Sequence, residues 1–151
     1  MILPKTKLYI DATGGTVGTT QKTGVLMGAQ MNVTTGVVPV PVGDGNLYFA
    51  AHKFTRPNIT FSITMELEDG GVVAAERAIF ESQAVRLFEL ELNGGNATHE
   101  CVLQWAGKYD SISDYENSDG NTTVTFEGHA VYSSTDSLFW QCDVTNQVAS
   151  L

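Results

Sequence analysis

Apolar and polar residues alternate with a period of two along most of the second half of the chain. Ile59, Phe61, Ile63, Met65 and Leu67 alternate with Thr60, Ser62, Thr64 and Glu66, as in a strand with one face in a core and the other in water. Phe88, Leu90 and Leu92 interleave with Glu89 and Glu91 in the same way, and Cys101, Leu103 and Trp105 continue the pattern around Val102 and Gln104. Val124, Phe126, Ala130 and Tyr132 share one phase, broken at Gly128, which predicts a bulge there. Leu138, Trp140, Cys142 and Val144 alternate against Phe139, Gln141 and Asp143. Asn93-Gly94-Gly95 and Ser118-Asp119-Gly120 are chain-reversal signals between these runs. The pattern predicts a mainly β, antiparallel protein.

Two segments depart from that rule. Residues 72–83 (VVAAERAIFESQ) contain no Gly or Pro and place Val72, Ala75, Ile79 and Phe80 at helical spacing. They predict one helix of about three turns packed across the sheet. Residues 11–46 hold eight Gly and seven Thr, with only Asp11, Lys22 and Asp44 as charges. Their apolar residues, among them Val25, Leu26, Met27, Met31, Val33, Val37 and Val38, are too many for a solvated linker. They are also too interrupted by Gly, Pro39 and Pro41 for core strands. This predicts a long N-terminal loop or hairpin arm, lying either on the domain's own sheet or against another chain.

A length of 151 residues predicts a single domain over 1–151, large enough to remove roughly 70% of its unfolded surface from water. The hydrophobic share of 42% excludes a disordered chain, and no apolar run is long enough to span a bilayer. The N-terminus, MILPKTKLYID, lacks the apolar segment of a signal peptide. A net charge of −9 argues against ordinary nucleic-acid binding, which needs a basic face. That charge is unevenly placed. Residues 1–60 carry Lys5, Lys7, Lys22, Lys53 and Arg56 against Asp11 and Asp44. Residues 61–151 carry Arg77, Arg86 and Lys108 against fifteen acids. Unlike ends favour head-to-tail association of copies, and a merely soluble acidic surface is the alternative. Cys101 and Cys142 lie in apolar phases and are expected as buried free thiols, with a disulfide between neighbouring strands as the alternative. The N-x-Thr triplets at Asn32, Asn58, Asn96 and Asn121 read, without an export signal, as by-products of an Asn- and Thr-rich β sequence.

No catalytic set assembles. Ala12-Thr13-Gly14-Gly15-Thr16-Val17-Gly18 is similar to the nucleophile segment of bacterial-type asparaginases, but the second Thr-Asp pair and activating lysine do not follow. His52, His99 and His129 stand singly, without a partner at metal-ligand spacing. The acidic run from Asp110 to Gly120 has its glycine one position late for a calcium loop and Thr125 where the closing glutamate belongs. Trp105 and Trp140 could stack a sugar but sit in the buried phase. The chain is expected not to be an enzyme and to need no cofactor or metal.

The order of features carries a resemblance. Asn46-Leu47-Tyr48-Phe49 leads through Lys53-Phe54-Thr55-Arg56-Pro57 into the strand at 59–67. The helix follows, then 85–92 and Trp105-Ala106-Gly107-Lys108-Tyr109 before the acidic run. The chain closes with 125–131, Tyr132-Ser133-Ser134-Thr135 and Trp140-Gln141-Cys142-Asp143-Val144-Thr145-Asn146. From about residue 46 onward this resembles a major tail (tail tube) protein of long-tailed bacteriophages. The resemblance implies a β-sandwich flanked by a helix, in subunits joined edge to edge into rings, usually hexameric, that stack into a tube. Genomic DNA would pass through without specific binding, repelled by a carboxylate-lined lumen. Glu66, Glu68, Glu89 and Glu91 are the candidates for that wall, and Val25, Leu26, Met27, Met31, Val33, Val37 and Val38 for an inter-subunit arm. Other partners implied are tape-measure and terminator proteins of the tail. The location implied is the virion tail, assembled in the host cytoplasm, with no membrane anchor. The chain lacks the length for an added immunoglobulin-like domain, so a host-binding decoration is not expected. The rival readings are the tube protein of a bacterial contractile injection or secretion system, and a monomeric carbohydrate-binding β-sandwich using Trp105 or Trp140.

Overall fold

In the computed structural model residues 5–40, 43, 45, 51–68, 71–93 and 99–146 are described. Asn46-Leu47-Tyr48-Phe49, the Gly94-Gly95 part of one expected reversal, and Asn96 lie outside them. The elements are β1 (Thr6–Ala12), β2 (Leu26–Thr34), β3 (Val37–Val40), β4 (Ala51–Phe54), β5 (Asn58–Glu66), α1 (Val72–Ser82), β6 (Arg86–Asn93), β7 (Glu100–Ile112), β8 (Glu116–Ser118), β9 (Asn121–Ala130) and β10 (Trp140–Thr145). The protein is mainly β, antiparallel throughout, with one helix among the described residues.

The large sheet runs β1-β6-β7-β9-β5-β2, with β10 on β7 and β8 on β9. Its turning point is the 13-residue β7. Residues 100–105 pair with β10, and 107–112 pair with β9. One half of the sheet is thereby folded over the other, as in a sandwich. The proof is in the aromatic core: Phe61 of β5 lies 4.9 Å from Phe88 of β6 and 5.5 Å from Trp105, although β5 and β6 are not neighbours. Phe88 and Trp105 stack at 5.2 Å, and Tyr109 meets Phe126 at 5.1 Å. Such offset and tilted pairs add about 0.5–1.5 kcal/mol each beyond the area they bury. The fold-over needs Gly107 and Gly128. A Cβ at Gly107 would sit 2.7 Å from the Phe61 ring, and one at Gly128 would sit 2.6 Å from it and collide with the Lys108 carbonyl. The bulge expected at Gly128 is on the facing strand instead, where register shifts between Tyr109 and Ser111 and Asp110 is the extra residue.

Helix α1 closes the core with Val73 and Glu76 buried and Val72, Ile79 and Phe80 packed against the same cluster. It ends one residue before the expected limit because Gln83 turns left-handed (φ 54°), donating its backbone N–H to the Phe80 carbonyl. Glu76 is 1% exposed yet matched: Lys22 Nζ lies at 3.3 Å, Arg86 Nη2 at 3.6 Å, and the Tyr109 hydroxyl donates to it at 3.0 Å. The helix is thus bolted to β6, β7 and the loop before β2 by a single carboxylate. Burial, followed by the nearby Glu76 charge, pushes the Tyr109 hydroxyl well above its usual titration range.

The segment 11–46 divides into three parts. Residues 13–25 fold back on β1: the buried Asp11 carboxylate accepts from the Thr19 and Thr20 amides at 3.1 and 2.9 Å, and Lys22 N donates to Leu8 O. Residues 26–34 are β2, inside the large sheet. Only β3 leaves the body, pairing with β4 in a separate two-stranded sheet. The cysteines correct the expectation of two buried thiols: both are free, but Cys101 is half-buried and Cys142 exposed. The core runs out towards the end of β10, where Val144 is also exposed.

Candidate assembly surfaces

The same alternation that buries Phe61, Ile63 and Met65 turns Thr60, Ser62, Thr64 and Glu66 to the opposite face. The register sets Gln30 beside Ser62 and Asn32 beside Thr60 on β2. On β9 it sets Thr125, Glu127 and His129 beside Thr64, Ser62 and Thr60. The result is a sheet face of hydroxyls and amides with a few charges. Thr64 and Thr125 hydroxyls meet at 3.0 Å, Ser111 Oγ donates to Glu127 at 3.1 Å, and His129 Nδ1 lies 2.8 Å from Asp110. The bulged residue Asp110 is what reaches the histidine.

This four-strand row ends in two open edges. Among the described residues β2 pairs only with β5, and residues 108–112 of β7 pair only with β9. β10 likewise pairs only with β7. The edge of β1 is different, because 20–22 lie along it with a Tyr9–Gln21 bridge. Unpaired edges are templates for another chain.

The ends of the row differ in charge. At one end, beyond Thr34 and Asn58, the β3–β4 hairpin projects and is pinched where Thr55 donates its N–H and hydroxyl to the Gly36 carbonyl at 2.6 and 2.9 Å. A Cβ at Gly36, which has φ 74°, would run into that Thr55 carbonyl group, so glycine is required. The hairpin carries exposed Val37, Val38 and Phe54, the last 76% exposed, with exposed Lys53 and with Arg56 at its root. At the other end, beyond Glu66 and Thr123, the β7–β8 turn and the β8–β9 turn expose Asp114, Glu116 and Asp119 with Tyr115 and Leu67. Arg77 of α1 donates to the Tyr115 hydroxyl at 3.3 Å. A basic apolar hairpin and an acidic apolar cap thus sit at opposite ends of one sheet.

The residues singled out in the sequence do not gather in one place. Of the candidate lumen acids, Glu66 is half-buried on the hydroxyl face and Glu68 is exposed just beyond it. Glu89 and Glu91 lie on the other half of the sheet, and both carboxylates have partners within the chain. Gln104 Nε2 donates to Glu89 at 2.6 Å, and Gly18 packs so closely on that carboxylate that a Cβ would lie 2.6 Å from it. Glu91 is buried beneath Lys7 Nζ at 2.6 Å and the Tyr9 hydroxyl at 3.1 Å. Burial works against its ionisation, yet the Lys7 and Tyr9 hydrogen bonds outweigh it and hold the carboxyl below the usual range. The Glu91 hydrogen bond in turn pushes the Lys7 ammonium up. Of the candidate arm residues, Val25 is wholly buried in the chain's own core, and Leu26 and Met31 pack against it. Met27 sits half-buried at a register shift and Val33 opposite buried Ile59. Val37 and Val38 alone of the seven are exposed. Phe54 and Tyr115 were not among the candidates. The signal for Phe54 was an aromatic residue between Lys53 and Arg56 beside a proline-broken strand; Tyr115 lies in the acidic run, whose failed calcium-loop spacing left its aromatic residue without a role. Trp105, at 2% exposure between Phe61 and Phe88, has no face to offer a sugar, and Trp140 is half-buried against the same core.

No family model matches the chain, and no curated protein does. Solved structures do. A chain from the tail of an empty gene transfer agent (GTA) particle, determined by helical refinement with C6 symmetry, superposes with a TM-score of 0.58 at 15% identity over 94% of this chain and 96% of that one. A chain from the virion of a native GTA particle is 14% identical over 91% of this chain and 95% of that one, with a TM-score of 0.49. At such identity the likeness is one of architecture: this chain has the fold of a chain in the tail of the GTA particle, over nearly the full length of both.

Proposed function

We propose that the chain is a structural subunit of a phage-like tail, closing into rings edge to edge and stacking ring on ring into a tube. The observation that carries the reading is the opposition of the basic hairpin and the acidic cap on a sheet whose lateral edges are both open. Strand directions permit closure. β2 is antiparallel to β5, β5 to β9 and β9 to β7, so β2 of one copy meets 108–112 of the next in antiparallel sense. Each copy then contributes four strands to a continuous barrel, which removes edges that would otherwise aggregate. Six copies per ring is the number suggested by the C6 symmetry of the GTA tail. The hydroxyl face becomes the lumen wall, with Glu66, Asp110 and Glu127 as its acids. Such a surface offers DNA hydrogen-bonding groups but little positive charge, so the polymer slides instead of binding. Glu91 drops out of the candidate wall because Lys7 neutralises it.

Negative-stain microscopy of the concentrated protein tests the reading, with rings or tubes expected. A particle that stays monomeric at every concentration and salt condition overturns it. The double reversal Lys53→Glu/Arg56→Glu should leave rings but abolish stacking, and Asp114→Lys/Glu116→Lys in the same chain should restore tubes.

A further inference from the structure

The open edge at β10 carries a second chemistry. Cys101 of β7 and Cys142 of β10 are free, lie on adjacent strands, and hold their sulfurs 4.0 Å apart. The register puts Cys142 opposite Leu103 and Cys101 opposite Val144, so the two are diagonal neighbours on one face. They sit beyond the last well-covered pair, Trp105 and Trp140, where the core thins and Cys142 and Val144 face solvent.

We infer that Cys101 and Cys142 form a reversible redox pair that fastens β10 to β7 when the protein meets an oxidising disulfide. The oxidant is a low-molecular-weight disulfide. The exposed Cys142 thiolate attacks one of its sulfurs, an S–S bond breaks, and one small thiol leaves with the proton that Cys142 gave up. Cys101 Sγ then attacks the Cys142 sulfur of the mixed disulfide and expels the second small thiol, which takes up the Cys101 proton. Two protein thiols are oxidised and one small disulfide is reduced to two thiols. Burial first, and then the Cys142 neighbour, push the Cys101 thiol up, so the second step accelerates with pH.

Geometry sets the character of the bond. Diagonal neighbours stand about 7–8 Å apart at Cα, beyond the roughly 4.4–6.8 Å that a disulfide spans, so closure requires the strands to draw together. β10 pairs with β7 on one edge only among the described residues, and its residues 141–145 are exposed, so it is the strand free to move. A bond made by displacing an edge strand is one that a reducing pool reopens. On the tail reading, the pair stays open in a reducing cell and closes after the particle leaves it; the timing rests on that reading, the chemistry does not.

The test uses the whole chain in dilute solution with oxidised glutathione, independently of assembly. Intact mass should fall by about 2 Da, with a non-reducing peptide map joining Cys101 to Cys142, and dithiothreitol should reverse it. Amide exchange in β10 should slow at least roughly tenfold in the oxidised form. Cys101→Ser should instead trap a glutathione adduct on Cys142. Wild-type protein that keeps both thiols, stops at the mixed disulfide, or links into dimers overturns the pair. Any of those outcomes leaves the tube reading intact, since the latter falls only with the microscopy.

Discussion

The body of the sheet and the hairpin it carries obey different rules. In the body the large apolar side chains at the middle of the strands find neighbours: Leu8, Ile10, Phe88, Trp105, Tyr109 and Phe126 are almost wholly buried. Its most deeply buried carboxylate among the described residues, Glu76, has two cations and a hydroxyl around it. In the hairpin the same residue types lie open, with Val37 at 49% and Phe54 at 76% exposure. Its described cations, Lys53 and Arg56, lie among those exposed residues. Isolated, the hairpin leaves apolar surface in water, which is costly unless something else covers it. The body is built to satisfy itself and the hairpin is built to be satisfied by another surface.

Substitutions in the body should therefore act on folding, and the largest effect belongs to Glu76. Glu76→Ala leaves Lys22 and Arg86 facing each other in a site where both are mostly shielded from water. Breaking a buried pair from one side costs about 3–5 kcal/mol, against a total domain stability of about 5–15. Urea unfolding measures it, and a loss within the scatter of surface substitutions would mean the network adds nothing. Trp105→Ala should cost about as much through the cavity it opens against Phe61 and Phe88.

Tyr109 gives a smaller and pH-dependent effect. Its folded-state titration lies above the unfolded value of about 10, so the stability tied to its protonated hydroxyl is complete below that value and is lost as pH climbs towards the folded one. The wild type should weaken steeply on the alkaline side. Tyr109→Phe should lose about 1 kcal/mol at neutral pH, with its hydrogen bond to Glu76, yet decline less above pH 10. Parallel alkaline decline of the two proteins would assign the sensitivity elsewhere. Glu91 and Lys7 act at the other extreme. With its folded-state titration lowered, Glu91 contributes stability above the unfolded carboxyl range that is lost as pH falls through the folded value, so Lys7→Met should move the acid midpoint upward.

Period-two alternation carried the body, because a half-buried strand writes its burial directly into the chain: Ile59 to Glu66 fall as the pattern predicts, whereas on β6 the expected wet-face Glu91 is buried beneath Lys7 and Tyr9. Helix α1 was equally legible from its spacing, though not the role of Glu76, since an acid at a helical position looks the same whether it meets water or two cations. The segment 11–46 misled for a related reason. Glycines that mark tight contacts, such as Gly18 on Glu89 and Gly36 on Thr55, read in sequence as looseness. Val25-Leu26 and Val37-Val38 are both apolar pairs that follow a glycine, the first covered by the core and the second exposed. What separates them is the partner brought by the fold, and local pattern carries no record of it. The acidic cap was visible as charge, but only strand register places it opposite the hairpin.

The smallest effect on stability should come from the hairpin, and this is where the contrast between the two regions is most exposed to failure. Thr55 and Gly36 are already joined by two hydrogen bonds, so residues 37–54 can be replaced by a short glycine-containing turn without disturbing the β2–β5 pairing. Phe54→Ser removes no core contact and should shift unfolding by no more than about 0.5 kcal/mol, and the excision, which takes none of the described core residues, should leave the fold standing. Both should nonetheless reduce tube formation, the excision completely. Deleting residues 15–40 instead removes Val25 and all of β2, and should abolish folding. If the excision unfolds the protein as that deletion does, the hairpin belongs to the body. If it leaves tubes intact, the exposed phenylalanine and its flanking cations cover no neighbour, and stacking must run through another surface.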